Sequence, residues 1–191
     1  MARPMRRVVT GHNAQGKSIF LMDGPSSHVL ELEAVPGLAL IDLWVTDRAP
    51  AGGNAGTADP AARPVVLEPP SRGTIFRVVD FPPERPGVTP PDRHKLFGAM
   101  GAGHAMDPSA ARHPAMHKTS TVDYALVVDG EIWALMDEGE RLLRAGDCLI
   151  QRGTNHAWSN RSGKVAKMLY VLIDGEFDEE MRGWFKSEAG H

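Results

Sequence analysis

The stretch that decides the fold is Met116-His-Lys-Thr-Ser-Thr-Val-Asp-Tyr-Ala-Leu-Val-Val-Asp-Gly-Glu131, followed by Gly146-Asp-Cys-Leu-Ile-Gln-Arg-Gly-Thr-Asn-His-Ala-Trp-Ser-Asn160. It holds two histidines, His117 and His156, and one carboxylate, Asp123, on short β-rich segments. Glycine turns separate these segments, and a turn such as Asp129-Gly130 is a strong β-hairpin signal. In a small barrel this spacing could bring the three side chains to one point inside, which makes them the candidate catalytic residues.

Strand-like runs with turns between them dominate the rest of the chain. Many short strands of this kind predict an all-β sandwich or barrel. Residues 81–116 are rich in Pro, Gly and Met and predict a long irregular segment, such as a lid or an interface arm. Apolar residues at helical spacing predict a short C-terminal helix at about 176–187. The predicted strands are 7–10, 18–22, 38–45, 74–79, 122–128, 131–136, 140–144, 147–151 and 165–173.

Size and charge narrow the class of protein. A chain of 191 residues is long enough for one domain with a full core. A net charge of −3 without a basic stripe argues against nucleic acid as a partner. No apolar run reaches the roughly 18 residues that a membrane span needs. One cysteine, Cys148, and no export signal favour a cytoplasmic protein, and we predict that its thiol is buried and inert.

One motif suggests a different chemistry. Gly11-His-Asn-Ala-Gln-Gly-Lys-Ser18 fits the phosphate-binding pattern G-x4-G-K-S at every position. That pattern requires a helix directly after it, because the helix N-terminus holds the phosphate. Here a β-rich run follows and ends at Asp23-Gly24-Pro25, so we predict a polar turn between two strands.

The segment from about 111 to 173 resembles the cupin superfamily, in its small single-domain bacterial form. The first cupin motif corresponds to His117-x-Thr119-x3-Asp123-x6-Gly130. The second corresponds to Gly146-x4-Gln151-x-Gly153-x2-His156-x3-Asn160. The resemblance implies a double-stranded β-helix, or jelly-roll barrel, with its site in the barrel interior.

The resemblance also implies a metal site at His117, Asp123 and His156. Cupins typically bind metal through three histidines and a glutamate; here Thr119 replaces one histidine and Asp123 replaces the glutamate. Two histidines and a carboxylate form the pattern of open non-haem iron sites and would also suit Mn²⁺, Ni²⁺ or Zn²⁺. Because a threonine hydroxyl is a poor ligand, a barrel without metal is the alternative.

Strand alternation gives a way to test this site. Residues 117, 119, 121 and 123 would share one face if they lie on one strand, so Thr119 joins the candidate pocket. Tyr124 would then point away from it. His113, His104 and Trp158 are further candidates for the pocket.

The sequence therefore predicts a single cupin domain over 1–191. Its barrel core is placed at about 70–174, with N-terminal strands in 1–48 and the C-terminal helix outside. The expected function is a small-molecule enzyme that uses one divalent metal ion (Fe²⁺, Mn²⁺, Ni²⁺ or Zn²⁺) for dioxygenase, decarboxylase, isomerase or lyase chemistry on a small oxygenated or carboxylate substrate. The alternative is a metal-free sensor or carrier of a small molecule. Open sheet edges favour a homodimer.

Overall fold

Antiparallel strands make up most of the regular structure. The computed structural model describes residues 5–52, 56–85, 87, 89–108 and 112–188. The strands are β1 Arg6–His12, β2 Ser18–Pro25, β3 Val29–Glu31, β4 Ala39–Thr46, β5 Thr74–Phe81, β6 Val122–Asp129, β7 Glu131–Met136, β8 Glu140–Arg144, β9 Cys148–Arg152, β10 His156–Ser159 and β11 Ala166–Ile173. The helices are α1 Arg93–Ala99 and α2 Glu179–Glu188, with a 3-10 turn at Gly103–Ala105.

Two facing sheets form the barrel. The larger has the order β3-β4-β5-β11-β6-β9, and the smaller has the order β10-β7-β8. His117 extends the smaller sheet, because it forms an antiparallel bridge with His156 at the start of β10. The order β5-β11-β6-β9 facing His117-β10-β7-β8 is that of two interleaved Greek keys, a jelly roll. The prediction of an all-β jelly roll is confirmed.

The first two strands form a separate hairpin beside the barrel. β1 and β2 pair only with each other among the described strands. The side-chain oxygen of Asn13 accepts hydrogen bonds from the backbone N–H groups of Gln15 and Lys17, each at 3.0 Å. The phosphate-binding pattern is thus the polar hairpin turn that its sequence context predicts.

The larger sheet is buried on both faces near its middle. On the outside, Ile41, Leu43 and Val78 form a small cluster against which Met5 packs. On the inside, a larger cluster that includes Ile75, Val79 and residues of β6 and β11 forms the barrel core. β4 is therefore covered on both sides, which explains its nearly continuous apolar sequence.

Two local predictions are wrong. Residues 117–123 do not form one strand, because β6 begins at Val122 and His117 makes only isolated bridges. Cys148 is exposed rather than buried. It starts β9, an edge strand, and shares the outer face of that strand with Ile150, which is 54% exposed.

The segment 81–116 contains regular structure that its composition hides. α1 begins after Asp92, whose carboxylate accepts hydrogen bonds from the backbone N–H groups of His94 and Lys95 at 2.9 and 3.2 Å. This helix cap is a sequence signal that could have located the helix. Leu96 and Phe97 of α1 pack into the barrel core. No helix in the described ranges has the length and apolar character that crossing a membrane requires.

Candidate functional site

A cavity of about 650 Å³ opens inside the barrel. This volume lies in the range of ligand pockets, about 300–1,000 Å³. Its walls are mostly apolar side chains from both sheets, from α1 and from the segment 82–91. The polar or ionisable residues that line it are Arg77, Glu84, Arg85, Thr89, His113, His117, Thr119, Asp123, His156, Asn160 and Tyr170.

His117 and His156 lie side by side in this cavity. Each backbone N–H donates to the other residue's carbonyl at 2.9 Å, and the ring centroids are 4.3 Å apart. Nδ1 of His117 lies 2.9 Å from the carbonyl of Ala115, and Nδ1 of His156 lies 3.0 Å from the carbonyl of Thr154. Because a carbonyl only accepts, both Nδ1 atoms carry the proton and both Nε2 atoms keep a lone pair.

Burial keeps this pair of imidazoles uncharged. It is the main cause that lowers the pKa of His117 below its usual value. Burial, followed by the proximity of His117, lowers the pKa of His156 to about 3. Neutral imidazoles with Nδ1 held by a carbonyl are the form in which histidine binds a metal ion.

Asp123 lines the same cavity from β6 and is 5% exposed. Burial raises the pKa of Asp123 to about 6, although a hydrogen bond from Thr121 and the charge of Arg77 oppose the shift. The Thr121 hydroxyl also shares a 2.8 Å hydrogen bond with the Thr119 hydroxyl. Thr119, the residue that replaces a cupin histidine, thus belongs to a short chain of hydroxyl groups that ends at Asp123.

Sequence reasoning missed Tyr170 on β11. The ring is 7% exposed, and burial raises the pKa of its phenol well above the usual value. The residue lies within a continuous apolar run, residues 168–173, so no pattern singles it out. Trp158 links Tyr170 to the histidines, because its ring is 5.8 Å from that of Tyr170 and 6.0 Å from that of His156.

The sequence also missed the buried ion pair of Arg77 and Asp42. Nε and Nη2 of Arg77 donate to the two carboxylate oxygens of Asp42 at 2.6 and 3.1 Å. Nη2 and Nη1 also donate to the carbonyls of Val66 and Leu67 at 2.6 and 3.2 Å. The guanidinium lines the cavity with its charge balanced and most of its donors already used.

The remaining candidates are divided between the cavity and the surface. Thr119 and Trp158 line the cavity. His113 also lines it, and its Nε2 lies 3.2 Å from a carboxylate oxygen of Glu84. His104 is 66% exposed beside Glu68 and is not part of the cavity wall.

The fit of a metal ion can be judged from the donors present. The two Nε2 lone pairs suit a divalent metal ion by type. Among the described residues, no group of three or more His, Cys, Asp or Glu side chains is placed so that it could hold one. The structure brings the two histidines together and leaves Asp123 apart from them on the cavity wall. The three-residue ligand set therefore stays a prediction.

Sequence comparison identifies fungal relatives that align with most of the chain. A cupin-domain-containing oxidoreductase, virC of Hypocrea virens, is 29% identical, with 88% of this chain and 75% of that protein covered. The oxidoreductase srdD of Neurospora crassa, also described as cupin-domain-containing, is 29% identical over 90% and 76% of the two chains. Phomopsin biosynthesis cluster protein C' of Diaporthe leptostromiformis is 29% identical over 95% and 86%.

No protein-family model matches the chain. A sugar phosphate isomerase of the cupin superfamily from Silicibacter pomeroyi aligns with a TM-score of 0.40 at 16% identity, with 74% of this chain and 62% of that chain covered. The order of the strands in the two sheets is what identifies the jelly roll.

The relatives support the cupin resemblance and give no support to a bacterial grouping, because they are fungal. The two histidines of the cupin motifs meet inside a jelly roll, as the resemblance implies. The chain is thus similar, over most of its length, to fungal proteins described as cupin-domain-containing oxidoreductases.

Proposed function

We propose that this chain is a cupin-type oxidoreductase that acts on a small molecule inside the barrel cavity. The observation that carries the proposal is the pair His117 and His156, whose unprotonated Nε2 atoms lie in an apolar cavity of about 650 Å³. The similarity to proteins described as cupin-domain-containing oxidoreductases supports the reaction class.

In this proposal the two histidines hold one divalent metal ion, Fe²⁺, Mn²⁺, Ni²⁺ or Zn²⁺. Such an ion supplies Lewis-acid or oxygen-activating chemistry when it is bound. The carbonyls of Ala115 and Thr154 orient the two imidazoles and fix the proton on Nδ1. The apolar walls exclude water and orient the substrate, and Asp123, the third ligand that the cupin resemblance implies, lies apart from the pair.

Metal content tests the proposal directly. Protein without a histidine tag, purified without chelators, should contain about one divalent metal ion per chain by mass spectrometry. His156→Ala and His117→Ala should each lose the metal, because each removes one of two imidazole donors. His104→Ala is the matched control, since that side chain is 66% exposed and outside the cavity, and it should keep the metal.

A second assay tests the reaction class. Small molecules extracted from the source cells are incubated with the wild-type protein or with the His117→Ala/His156→Ala double variant. An oxidoreductase should convert one compound into a product that differs by two hydrogen atoms or by one or two oxygen atoms, and only the wild type should do so. A wild-type protein that binds no metal after incubation with each of the four ions would contradict the metal-dependent form.

A metal-free binding protein is the second candidate function. It is favoured by the lack, among the described residues, of a three-residue metal group, and by Thr119 in place of a histidine. In that form the cavity would retain a small molecule without converting it. Recovery of one unchanged compound with the purified protein, together with no metal and no redox product, would favour this candidate.

A further inference from the structure

Two buried polar atoms in the cavity wall have no hydrogen-bond partner. They are Oδ1 of Asp123 and the hydroxyl oxygen of Tyr170, on side chains that are 5% and 7% exposed. A buried polar atom without a partner costs about 1–3 kcal/mol, so native proteins leave few of them. Neither oxygen has accessible surface of its own, but both side chains line the cavity, so a small rotation toward it would let a molecule inside supply the missing partner.

The register of the larger sheet brings these two atoms to the same part of the cavity. Asp123 on β6 lies directly opposite Leu172 on β11, and Tyr170 lies two residues before Leu172. The two are therefore diagonal neighbours on one face of the sheet, with Cα atoms roughly 7–8 Å apart. One oxygen atom of a ligand could lie between the carboxyl group and the phenol.

This position suits an uncharged group. Arg77 is the cation nearest in the sheet, because it pairs with Tyr170 on β5, but its charge is balanced by Asp42. Arg85 is exposed at the rim of the cavity, and His113 already faces Glu84. Among the described lining residues no buried cation is left to balance a carboxylate. Burying an unpaired charge is far more costly than burying a hydroxyl or carbonyl group that forms hydrogen bonds.

We propose that Asp123 and Tyr170 anchor a neutral hydroxyl or carbonyl oxygen of the substrate, so that the cavity selects apolar alcohols, phenols, aldehydes or ketones over carboxylates. The inference rests on the proposed function, in that the cavity is the substrate site. It also places the anchored group on the side of the cavity that holds the histidines, because the Trp158 ring contacts the rings of both Tyr170 and His156.

Isothermal titration calorimetry tests the anchor with four matched probes. They are naphthalenemethanol, naphthaldehyde, naphthoate and methylnaphthalene. They are titrated at neutral pH into the wild-type protein as purified and into the His117→Ala/His156→Ala variant, because a metal ion held by the two histidines would itself attract the carboxylate of naphthoate. In the double variant the alcohol and the aldehyde should bind at least about tenfold more tightly than naphthoate, a difference of about 1.4 kcal/mol. Similar affinity of the double variant for naphthoate and the alcohol would overturn the proposal.

A single-atom change tests the role of the phenol. Tyr170→Phe keeps the ring and should weaken binding of the alcohol by about fivefold, which is the size of one neutral hydrogen bond. Binding of methylnaphthalene should not change. Tyr124→Phe is the matched control, because Tyr124 is the other tyrosine and lies on the outer face at 49% exposure. Equal loss for the alcohol and methylnaphthalene would mean that the phenol only supports packing.

The carboxyl group is tested by Asp123→Asn, with metal content measured beside binding. We expect weaker binding of the alcohol and unchanged metal content; loss of the metal would make Asp123 a metal ligand and overturn its role as an anchor. The binding measurement needs no turnover, so it fails separately from the proposed function. A His117→Ala/His156→Ala variant that binds naphthoate as tightly as the alcohol counts against the anchor alone, whereas lack of metal and redox product in the wild type counts against the proposed function alone.

Discussion

Asp42 and Asp123 are two buried carboxyl groups of the same sheet, with 1% and 5% exposure, and their surroundings differ completely. Asp42 receives two hydrogen bonds from Arg77, which is itself 2% exposed. Asp123 receives one from Thr121 and leaves Oδ1 without a partner.

The difference separates a carboxylate that is fully paired within the protein from one that is only partly paired. The ion pair of Asp42 and Arg77 is complete within the protein, and the pairing also removes a cation from the cavity. Asp123 has no such partner, so burial dominates and raises its pKa to about 6. The same wall of the barrel therefore carries one polar pair that is complete within the protein and one carboxyl group whose Oδ1 has no partner there.

The largest expected effect comes from breaking the closed pair. Arg77→Met leaves the carboxylate of Asp42 buried and unpaired, and should lower the free energy of unfolding by about 3–5 kcal/mol in urea titrations. Arg6→Met is the control, because the pair of Arg6 and Asp23 has side chains that are 70% and 52% exposed, and its loss should have no measurable effect. Equal stability of Arg77→Met and wild type would remove the contrast between the two carboxyl groups.

Asp123→Asn should raise the free energy of unfolding, by less than the amount that Arg77→Met lowers it. The pKa of Asp123 is about 6 in the folded protein, against 3.8 in the unfolded chain. Because the folded state binds this proton more tightly, the free energy of unfolding falls as the pH rises from 3.8 to about 6. Asparagine stays neutral at every pH. The variant should be more stable than wild type by about 2–3 kcal/mol at pH 8 and no different near pH 3.

The measurement is urea unfolding of both proteins across this pH range. A constant difference between them, independent of pH, would show that Asp123 titrates alike in the folded and unfolded states. That result would mean that Asp123 titrates like a surface carboxylate, although only 5% of the residue is exposed.

The smallest effect is expected for the hydroxyl group of Tyr170. Tyr170→Phe removes a buried group that has no partner within the protein, so the free energy of unfolding should change by less than about 1 kcal/mol. A loss of several kcal/mol in thermal or urea unfolding would mean that the phenol stabilises the fold, and Tyr124→Phe again provides the exposed comparison.

Most of the fold could be predicted from local signals. Period-two alternation and glycine turns locate β6 to β9 to within about one residue, because each strand has one buried and one exposed face. β3 and β10 were missed, since runs of three and four residues are too short to show alternation. Cys148 was misplaced because the sequence does not reveal which face of an edge strand is covered.

The site could be predicted only in part, for a physical reason. The two histidines carry a motif, so their meeting in the barrel could be expected from the spacing. Tyr170 and Arg77 depend on pairing between strands that are distant in sequence, and both lie in runs that read as ordinary strands. The position of Asp123 relative to the histidines depends on the irregular backbone at 118–121, which strand alternation does not describe.

Phe97 connects the chemistry of the cavity to a helix that the jelly roll does not require. Its ring packs against the imidazole of His117, with centroids 5.4 Å apart. Arg93 begins the same seven-residue helix and donates to the carbonyls of Asp107 and Pro114. Pro114 lies three residues before His117 in the chain. α1 thus covers one face of the His117 imidazole and is tied by Arg93 to the segment that leads to it. One side of the histidine pair therefore depends on a helix, and a substitution in α1 would change the surroundings of the imidazole without altering any strand.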